Sequence, residues 1–248
     1  MLGEEELWQA CRDGEVEELQ KLLQKKQIDI NWQNNFLTTQ RKFGAYNYPY
    51  EEHGWTPFFI ACEKGHIEVV KLLVSNQKVD INYANNGRET SLNIACKRGH
   101  IEIVKLLLND QRVDVNKADN GGITPFHSAC RNGHLEIVKL FINDQRVDVN
   151  KAENGSGAPL YPLYMNFGNN IVSYTGSGQA PFSCACYCGH TEVVKYMLES
   201  GREIDINRKD KYGKTGLDWA RERRNMDIVE LIESFQKRSK SFFFSIYI

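Results

Sequence analysis

The feature that most constrains the fold is a short motif that returns along the 248-residue chain at a nearly fixed interval. Its copies align on an Ala-Cys pair, and successive pairs lie 51, 34, 34 and 56 residues apart, with a further 35 residues to an Ala-Arg pair. A period near 34 predicts a stack of similar units, in which the first interval is 17 residues too long and the fourth 22 too long. The aligned pairs begin at Ala10, Ala61, Ala95, Ala129, Ala185 and Ala220.

Each unit predicts two short helices. The first starts at a threonine, which caps free N–H groups, and ends at a glycine, which adopts the left-handed conformation easily. The second, as in HIEIVKLLL at 100–108, has apolar residues on one side and a Glu–Lys pair three residues apart on the other. So short a helix pair cannot bury its apolar face alone, and neighbouring units must therefore stack. The predicted starts are Thr56, Thr90, Thr124 and Thr215, and the predicted ends are Gly65, Gly99, Gly133 and Gly189.

The segment TPFHSACRNGHLEIVKLFIN at 124–143, followed by DVN, resembles the ankyrin repeat, a turn plus two antiparallel helices. The resemblance covers nearly the whole chain in about six units, and it implies an all-α repeat solenoid with projecting hairpin loops. Two departures are visible, since the regular interval is 34 rather than 33 and the histidine of the family's T-P-L-H motif survives only as His127. We expect the loss of this histidine elsewhere to weaken a local hydrogen bond without changing the fold.

We predict a single ankyrin-repeat domain over residues 1–236, followed by a tail. Terminal repeats need a polar outer face, and the first and last units depart from the Gly-His pattern accordingly. The tail joins a small basic cluster to apolar residues; docking on the last helix pair, binding to a membrane surface and an unordered end all remain open, and we favour the first and the last. The predicted segments are an N-terminal cap repeat at 1–35, an insertion at 36–54, three regular repeats at 55–155, an insertion at 156–178, a fifth repeat at 179–212, a C-terminal cap repeat at 213–236 and the tail at 237–248.

Both insertions fall in the hairpin loop between one helix pair and the next. The regular count from the turn asparagine to the helix start is eight residues, whereas Asn31 to Thr56 takes 25 and Asn150 to Ala180 takes 30. The insertions are rich in Tyr, Phe, Asn and Gly, a mixture that antigen-binding loops use, and we find no helical or strand periodicity in them. We favour two aromatic loops that grip a partner from bases roughly 30 Å apart. The alternative is that they are tolerated expansions or cover the stack themselves.

The positions of the cysteines and histidines fit a role in packing between repeats better than a role in catalysis or metal binding. Five of the seven cysteines occupy one equivalent position, where a small buried residue fits between layers. Cys184 and Cys188 lie one helical turn apart, but no second pair of metal ligands accompanies them. We therefore predict no catalytic residue, no metal and no cofactor, and hence no enzyme. The competing hypothesis is an enzyme that uses this cysteine cluster or a site on a loop, and it requires bound metal or a reactive thiol. Structural histidines are expected at His66, His100, His134 and His190, each directly after a glycine that ends a helix.

Charge and hydropathy restrict the partners. The formal net charge is -1, with 31 basic and 32 acidic residues, so the electrostatic footprint of a nucleic-acid-binding protein is missing. Three glutamates stand near the start, where an export signal would carry basic residues, so we expect no signal peptide. No apolar run approaches the roughly 20 residues of a transmembrane helix. We expect a cytoplasmic monomer, with the nucleus as the alternative location.

These observations predict a non-catalytic protein–protein interaction module or adaptor. The resemblance implies that it binds a protein partner through a groove formed by the first helices and through its loop tips. The alternative is a regulatory or inhibitory subunit that occludes the active site of a partner enzyme. Aromatic and arginine side chains are favoured at such interfaces. The predicted partner-binding residues are Phe43, Tyr46, Tyr48, Tyr50, Tyr83, Arg88, Tyr161, Tyr164, Phe167 and Tyr174.

Overall fold

The regular secondary structure of the computed structural model is almost entirely helical in the part of the chain that it describes, as the repeat pattern predicts. It describes residues 2–25, 27–34, 54–154, 165–167, 170–172 and 177–246. The helices are α1 (Leu2–Asp13), α2 (Val16–Leu23), α3 (Pro57–Lys64), α4 (Ile67–Ser75), α5 (Ser91–Arg98), α6 (Ile101–Leu108), α7 (Pro125–Asn132), α8 (Leu135–Asn143), α9 (Pro181–Cys188), α10 (Thr191–Glu199), α11 (Gly216–Glu222) and α12 (Met226–Ile246).

The first helix of each regular repeat begins and ends where the sequence predicts. Oγ1 of Thr56 accepts a hydrogen bond from the N–H of Phe59 at 3.1 Å, which satisfies a free donor in the first turn. The glycines after these helices have φ between 72° and 81°, a region that residues with a Cβ rarely adopt. The fifth repeat has Ala180 at the cap position and no side-chain cap. Equivalent threonine caps are made by Thr90, Thr124 and Thr215.

The chain divides into two compact units, of which the first spans Met1–Asp119. Helices α1, α3 and α5 pack side by side in one row, and α2, α4 and α6 form the second row. Phe58, Ile60 and Leu73 are almost completely buried between the rows. Removing such a side chain from water stabilises the fold by about 1.5–3 kcal/mol, so the stacking of repeats provides the core that no single pair could form.

The second unit spans Asn120–Ile248 and repeats this arrangement. Helices α7, α9 and α11 form the row of first helices, and α8, α10 and α12 form the row of second helices. Phe126 and Phe141 lie between the rows with ring centroids 6.0 Å apart, and both are fully buried. The single domain over 1–236 stays a prediction.

Asparagines at the ends of the D-[IV]-N turns join neighbouring repeats. Nδ2 of Asn82 donates to the carbonyl oxygen of Arg112 at 2.6 Å, and its Oδ1 accepts from the N–H of Asp114 at 2.8 Å. Each asparagine thus pairs one donor and one acceptor of the next turn, which fixes the spacing between layers. The same two bonds join Asn31 to Lys78 and Asp80, and Asn150 to Glu203 and Asp205.

Histidines after the helix-ending glycines form a second set of bonds between repeats. Nε2 of His190 donates to the carbonyl oxygen of Arg131 at 2.8 Å. The last repeat has Asn225 at the histidine position, and its Nδ2 donates to the carbonyl oxygen of Cys186 at 2.8 Å. The structural role predicted for these histidines is confirmed where the bond is described. The other described bonds join His66 to Arg12 at 2.9 Å and His100 to Glu63 at 3.0 Å.

The structure differs from the sequence prediction inside the second insertion. Strand β1 (Met165–Phe167) pairs antiparallel with β2 (Asn170–Val172), and Asn166 lies opposite Ile171. The lack of strand periodicity in this insertion therefore gave no sign of the hairpin. Two three-residue runs are too short to show alternation, and the signal that could have found them is the Gly-Asn pair at 168–169, a common hairpin connection.

The last helix is longer than the predicted cap repeat. Helix α12 continues to Ile246, so most of the segment predicted as a tail at 237–248 is helical. No helix among the described residues is long and apolar enough to cross a bilayer. The side chains of α12 beyond residue 238 lie outside the described part of the chain. Docking of the tail on the last helix pair therefore stays a prediction.

Candidate partner-binding surface

The regular hairpin loops and the two loops that carry the insertions, which we call the late loops, close with the same backbone hydrogen bond. In the regular loop at 82–90, the N–H of Asn85 donates to the carbonyl oxygen of Glu89 at 3.0 Å. Three residues lie between these two, whereas the corresponding pairs of the late loops enclose 20 and 25 residues. The extra 17 and 22 residues are therefore inserted at loop tips, between residues that pair as in a regular repeat. The corresponding pairs are Asn34–Trp55 and Glu153–Gln179, each at 3.0 Å.

At these closing pairs, a side-chain oxygen accepts hydrogen bonds from nearby backbone N–H groups and so holds the turn in place. Oδ1 of Asn85 accepts from the N–H groups of Gly87 and Glu89, both at 2.9 Å. Local bonds of this kind from Asn and Asp hold a backbone turn without a regular ladder. In the last regular loop, Oδ1 of Asp210 accepts from the N–H groups of Tyr212 at 2.8 Å and Lys214 at 3.0 Å.

Glu153 performs the same task at the second insertion, although it is a buried carboxylate. Its Oε1 accepts from the N–H of Ser177 at 2.9 Å and from the hydroxyl of Ser177 at 3.0 Å. Its Oε2 lies 4.0 Å from Nη2 of Arg131, and both residues are buried. Buried charges need such partners because desolvation penalises an isolated charge. Glu153 therefore fixes the two ends of the second insertion against α7.

The first insertion returns against the neighbouring regular loop. The N–H of Gly54 donates to the carbonyl oxygen of Asn34 at 2.9 Å, and Nε1 of Trp8 donates to the carbonyl oxygen of Trp55 at 3.1 Å. A Cβ on Gly54 would lie 2.7 Å from Oδ1 of Asn86, closer than real contacts of this kind. The residues that frame this insertion and the tip of the 82–90 loop thus form one continuous surface.

Tyr83 and Arg88 are the two predicted site residues whose side chains the structure describes. The hydroxyl of Tyr83 is hydrogen-bonded to Nε2 of Gln33, next to Asn34, and the ring is partly buried. Arg88 is exposed at the tip, with φ at 59° in the left-handed region that residues other than glycine seldom adopt. Tyr83 therefore lies beside the base of the first insertion and Arg88 at the tip of the 82–90 loop, and their contact with a partner stays a proposal.

The remaining predicted site residues lie outside the described part of the chain. Phe167 belongs to β1, but its side chain is not among those described. The distance between the two insertions is likewise untested, because they leave from different units. The residues outside the described ranges are Phe43, Tyr46, Tyr48, Tyr50, Tyr161, Tyr164 and Tyr174.

An aromatic cluster that the sequence analysis missed lies on the second unit. The rings of Tyr187 on α9 and Trp219 on α11 meet edge to face with centroids 5.2 Å apart. Tyr212 meets Trp219 in the same manner at 6.4 Å, and 54% of its surface is exposed. Nε1 of Trp219 donates to Oδ2 of Asp210 at 2.7 Å, which fixes the indole. We call these three rings the Trp219 cluster.

Cations cover the faces of the Trp219 cluster. Nζ of Lys214 lies 4.3 Å from the Trp219 ring centroid, and Nζ of Lys211 lies 5.1 Å from that of Tyr212. The Arg223 guanidinium lies 4.8 Å from the ring centroid of Tyr187. Such cation–π contacts contribute about 0.5–1 kcal/mol each at exposed sites.

The Trp219 cluster is joined to the base of the second insertion. The N–H of Lys211 donates to the carbonyl oxygen of Ser177 at 2.9 Å, and Ser177 is bonded in turn to Glu153. The sequence signal for the cluster was the residue after each Ala-Cys pair, which is aromatic only in the fifth repeat. The residues at this position are Arg12, Glu63, Lys97, Arg131 and Tyr187.

A family model described as "Ankyrin repeats (3 copies)" matches residues 3–119, 77–153 and 151–240, which together cover most of the chain. The chain belongs to the ankyrin-repeat family. The predicted all-α stack of helix-turn-helix units with projecting hairpin loops is confirmed by this match. Ankyrin repeats are typical of protein–protein interaction modules, and the coarse functional prediction agrees with the family.

A similar protein is the "Probable 26S proteasome regulatory subunit p28" of Saccharomyces cerevisiae. It is 33% identical over 107 residues, which cover 35% of this ankyrin-repeat chain and 46% of the yeast protein. The chain therefore spans less than half the length of this relative.

Most cysteines of this ankyrin-repeat protein are buried between helices. Burial raises the pKa of Cys11 to about 12, and it raises the pKa of the Cys62 thiol further, which makes both poor nucleophiles at neutral pH. Cys96, Cys130 and Cys186 are also fully buried, as repeat packing requires. Within the described residues, no group of three or more His, Cys, Asp or Glu side chains is arranged to hold a metal ion.

Cys184 has a different environment from the other buried cysteines. A hydrogen bond from Cys188 favours the thiolate of Cys184 and lowers its pKa, and the nearby His127 and Arg131 act in the same direction. His127 is fully buried, and a side-chain hydrogen bond from it contributes to the lowered pKa of Cys184. Cys184 itself has no exposed surface, so a substrate cannot reach its sulfur in this conformation.

Proposed function

We propose that this ankyrin-repeat protein is a non-catalytic interaction module or adaptor that binds a protein partner through its first helices, its hairpin tips and its two Tyr-rich insertions. The observation that carries the proposal is the closing geometry that the late loops share with the regular ones. The bases of both insertions are closed by the same backbone bonds as a regular loop. In repeat proteins, insertions of this kind map to one face, which is often the binding face.

The residues that we propose for partner contact are the aromatic residues predicted in the two insertions, together with Arg88 on the neighbouring loop. Phe43, Tyr46, Tyr48 and Tyr50 lie in the first insertion, whose base adjoins the 82–90 loop that carries the exposed Arg88. Aromatic side chains supply large contact area at low entropic cost, and arginine is enriched at interface hot spots. In the second insertion, the proposed contacts are Tyr161, Tyr164, Phe167 and Tyr174.

The alternative function is a regulatory or inhibitory subunit of a larger assembly. The observation that favours it is the sequence similarity to the yeast protein, a probable regulatory subunit of the 26S proteasome. An adaptor and a regulatory subunit share the same binding surface, so the partner distinguishes them. If the protein is a regulatory subunit, adding it to the purified partner changes the activity of that partner; an adaptor leaves the activity unchanged and brings in a third protein.

The first test is partner capture from native extract with the full chain. We expect substitution of Tyr46, Tyr48 and Tyr50 by alanine to lower recovery of the wild-type partner by about tenfold, because buried aromatic anchors dominate interface energy. The matched control is Tyr196→Ala, which removes an aromatic from α10 in the row of second helices. Quantitative mass spectrometry of the captured proteins provides the readout, and thermal unfolding verifies that each variant is folded.

Two outcomes would contradict the proposed surface. Unchanged capture by the triple variant and by an equivalent variant of Tyr161, Tyr164 and Tyr174 would exclude the insertions. A larger loss with Tyr196→Ala than with either insertion variant would move the interface to the second helices.

A further inference from the structure

We infer that the Trp219 cluster and the cations around it form a docking surface for an acidic protein segment, whose carboxylates pair with Lys211 and Arg223. This inference rests on the proposed function, since it names the class of partner segment that the second unit recognises. The surface combines π-faces, exposed cations and a fixed backbone next to the second insertion.

Positive charge is concentrated around the Trp219 cluster. Residues 207–224 contain seven basic and three acidic side chains, a net charge of +4 in a chain whose total is -1. Arg208, Lys209 and Lys211 are exposed on the loop, and Arg223 and Arg224 are exposed after α11. A concentration of one sign on a nearly neutral protein attracts the opposite sign and orients the encounter.

The acidic side chains of this segment bond to groups of the segment itself. Asp210 is buried and accepts bonds from two backbone N–H groups and from the Trp219 indole. Asp218 accepts from the N–H and hydroxyl of Thr215 in the capping box, and the backbone bond lowers the pKa of Asp218. Glu222 pairs with Lys214. The acidic groups therefore support the fold, and Lys211 and Arg223 are exposed.

The occupied ring faces favour carboxylates over nucleic acid. Proteins that bind single strands stack bases on free aromatic faces. Here Lys214 lies over Trp219, Lys211 over Tyr212 and Arg223 over Tyr187, so the faces already carry cations. The surface thus presents positive charge that the rings hold in place, which is suited to carboxylate side chains. Holding the cations over the rings also lowers the side-chain entropy lost when a carboxylate binds.

The test is fluorescence anisotropy with the full chain and labelled peptides. The probe is a fluorescein-labelled peptide of repeated Glu-Glu-Gly, compared with the same peptide carrying Gln in place of Glu, and with labelled oligothymidylate. We expect the Glu peptide to bind at least about tenfold more tightly than the Gln peptide at about 50 mM salt, and the difference to shrink at higher salt because screening weakens exposed charges.

Matched variants locate the binding. Lys211→Glu combined with Arg223→Glu reverses two cations of the surface, and Lys195→Glu combined with Lys237→Glu reverses two exposed cations on α10 and α12. Both pairs change the net charge equally. We expect the first pair to weaken binding of the Glu peptide by about tenfold or more and the second by less than about threefold.

Each contrary result overturns the inference. Equal weakening by both pairs would mean that only total charge matters, and equal affinity for the Glu and Gln peptides would exclude carboxylate recognition. Tighter binding of oligothymidylate than of the Glu peptide would favour a nucleic acid instead. Partner capture distinguishes failure of this inference from failure of the proposed function. If the protein does not bind the Glu peptide but still captures a partner through its insertions, only the acidic-segment inference is refuted.

Discussion

Gly133→Ala is expected to lower the free energy of unfolding of the second unit by about 2–3 kcal/mol. Gly133 ends α7 with φ at 72°, where the presence of a Cβ costs about 1–2 kcal/mol. A Cβ at this position would lie 2.5 Å from Nδ1 of His190, so the imidazole must move. Moving the imidazole breaks its bond to the carbonyl oxygen of Arg131, which adds about 1 kcal/mol or more.

The control separates conformational strain from the lost contact. Gly201 has φ at 71°, but a Cβ at this position would meet no other described group within 4 Å. Gly201→Ala should therefore cost only the conformational strain, about 1–2 kcal/mol. Urea unfolding followed by circular dichroism measures both variants. Equal costs for the two substitutions would mean that packing between repeats at His190 adds nothing to stability.

Glu153→Ala is expected to cost about 3 kcal/mol. The substitution removes a charged acceptor from the N–H and hydroxyl of Ser177, and a hydrogen bond to a charged group contributes about 1.5–3 kcal/mol. It also removes the carboxylate beside the buried Arg131, whose charge then lacks this counter-ion. Urea unfolding of the full chain gives the change in the free energy of unfolding.

Glu153→Gln is the matched variant for this prediction. Glutamine keeps an oxygen that can accept from Ser177 but has no negative charge, so we expect a loss of only about 1–2 kcal/mol. If alanine and glutamine cost the same, the charge and not the closing bonds would be the stabilising feature. If neither variant is destabilised, Glu153 does not hold the base of the second insertion.

Local structure was largely predictable from the sequence because the repeat supplies each signal several times. Threonine at the start and glycine at the end of a first helix have fixed physical roles, and Thr56, Gly65 and Gly133 occupy the predicted positions with the predicted geometry. The apolar pattern of the second helices also identified the buried side correctly, as the burial of Val70 and Leu73 shows. Repetition reduces the chance that any one pattern is accidental.

Other features depend on contacts that no local pattern reports. The Trp219 cluster unites side chains from α9, α11 and the loop between α10 and α11, and their proximity follows from stacking of repeats. Glu153 was not singled out, because its partners lie 22 to 26 residues away along the chain at Arg131, Ser177 and Gln179. The helical continuation of α12 to Ile246 was missed because charged residues interrupt its apolar pattern.

The hydrogen bonds at the bases of the insertions explain how a regular stack of repeats can carry loop tips of different length and sequence. The bonds at Asn34–Trp55 and Glu153–Gln179 close the frame before the extra residues begin. Lengthening a loop beyond such a closure costs little additional entropy, since the cost grows only with the logarithm of loop length. Stability then comes from the helices and turn asparagines, while the tips are free to differ in sequence.

Site-specific photo-crosslinking tests most directly whether partners contact the loop tips and not the second helices. A benzophenone amino acid is introduced separately at Arg88 and Tyr212 on regular loop tips, and at Lys105 and Lys195 on α6 and α10. All four positions are exposed, so each variant should fold normally. We predict crosslinks to the captured partner from the tip positions at several times the yield from the helix positions. A higher yield from Lys105 and Lys195 than from Arg88 and Tyr212 would contradict binding through the loop tips.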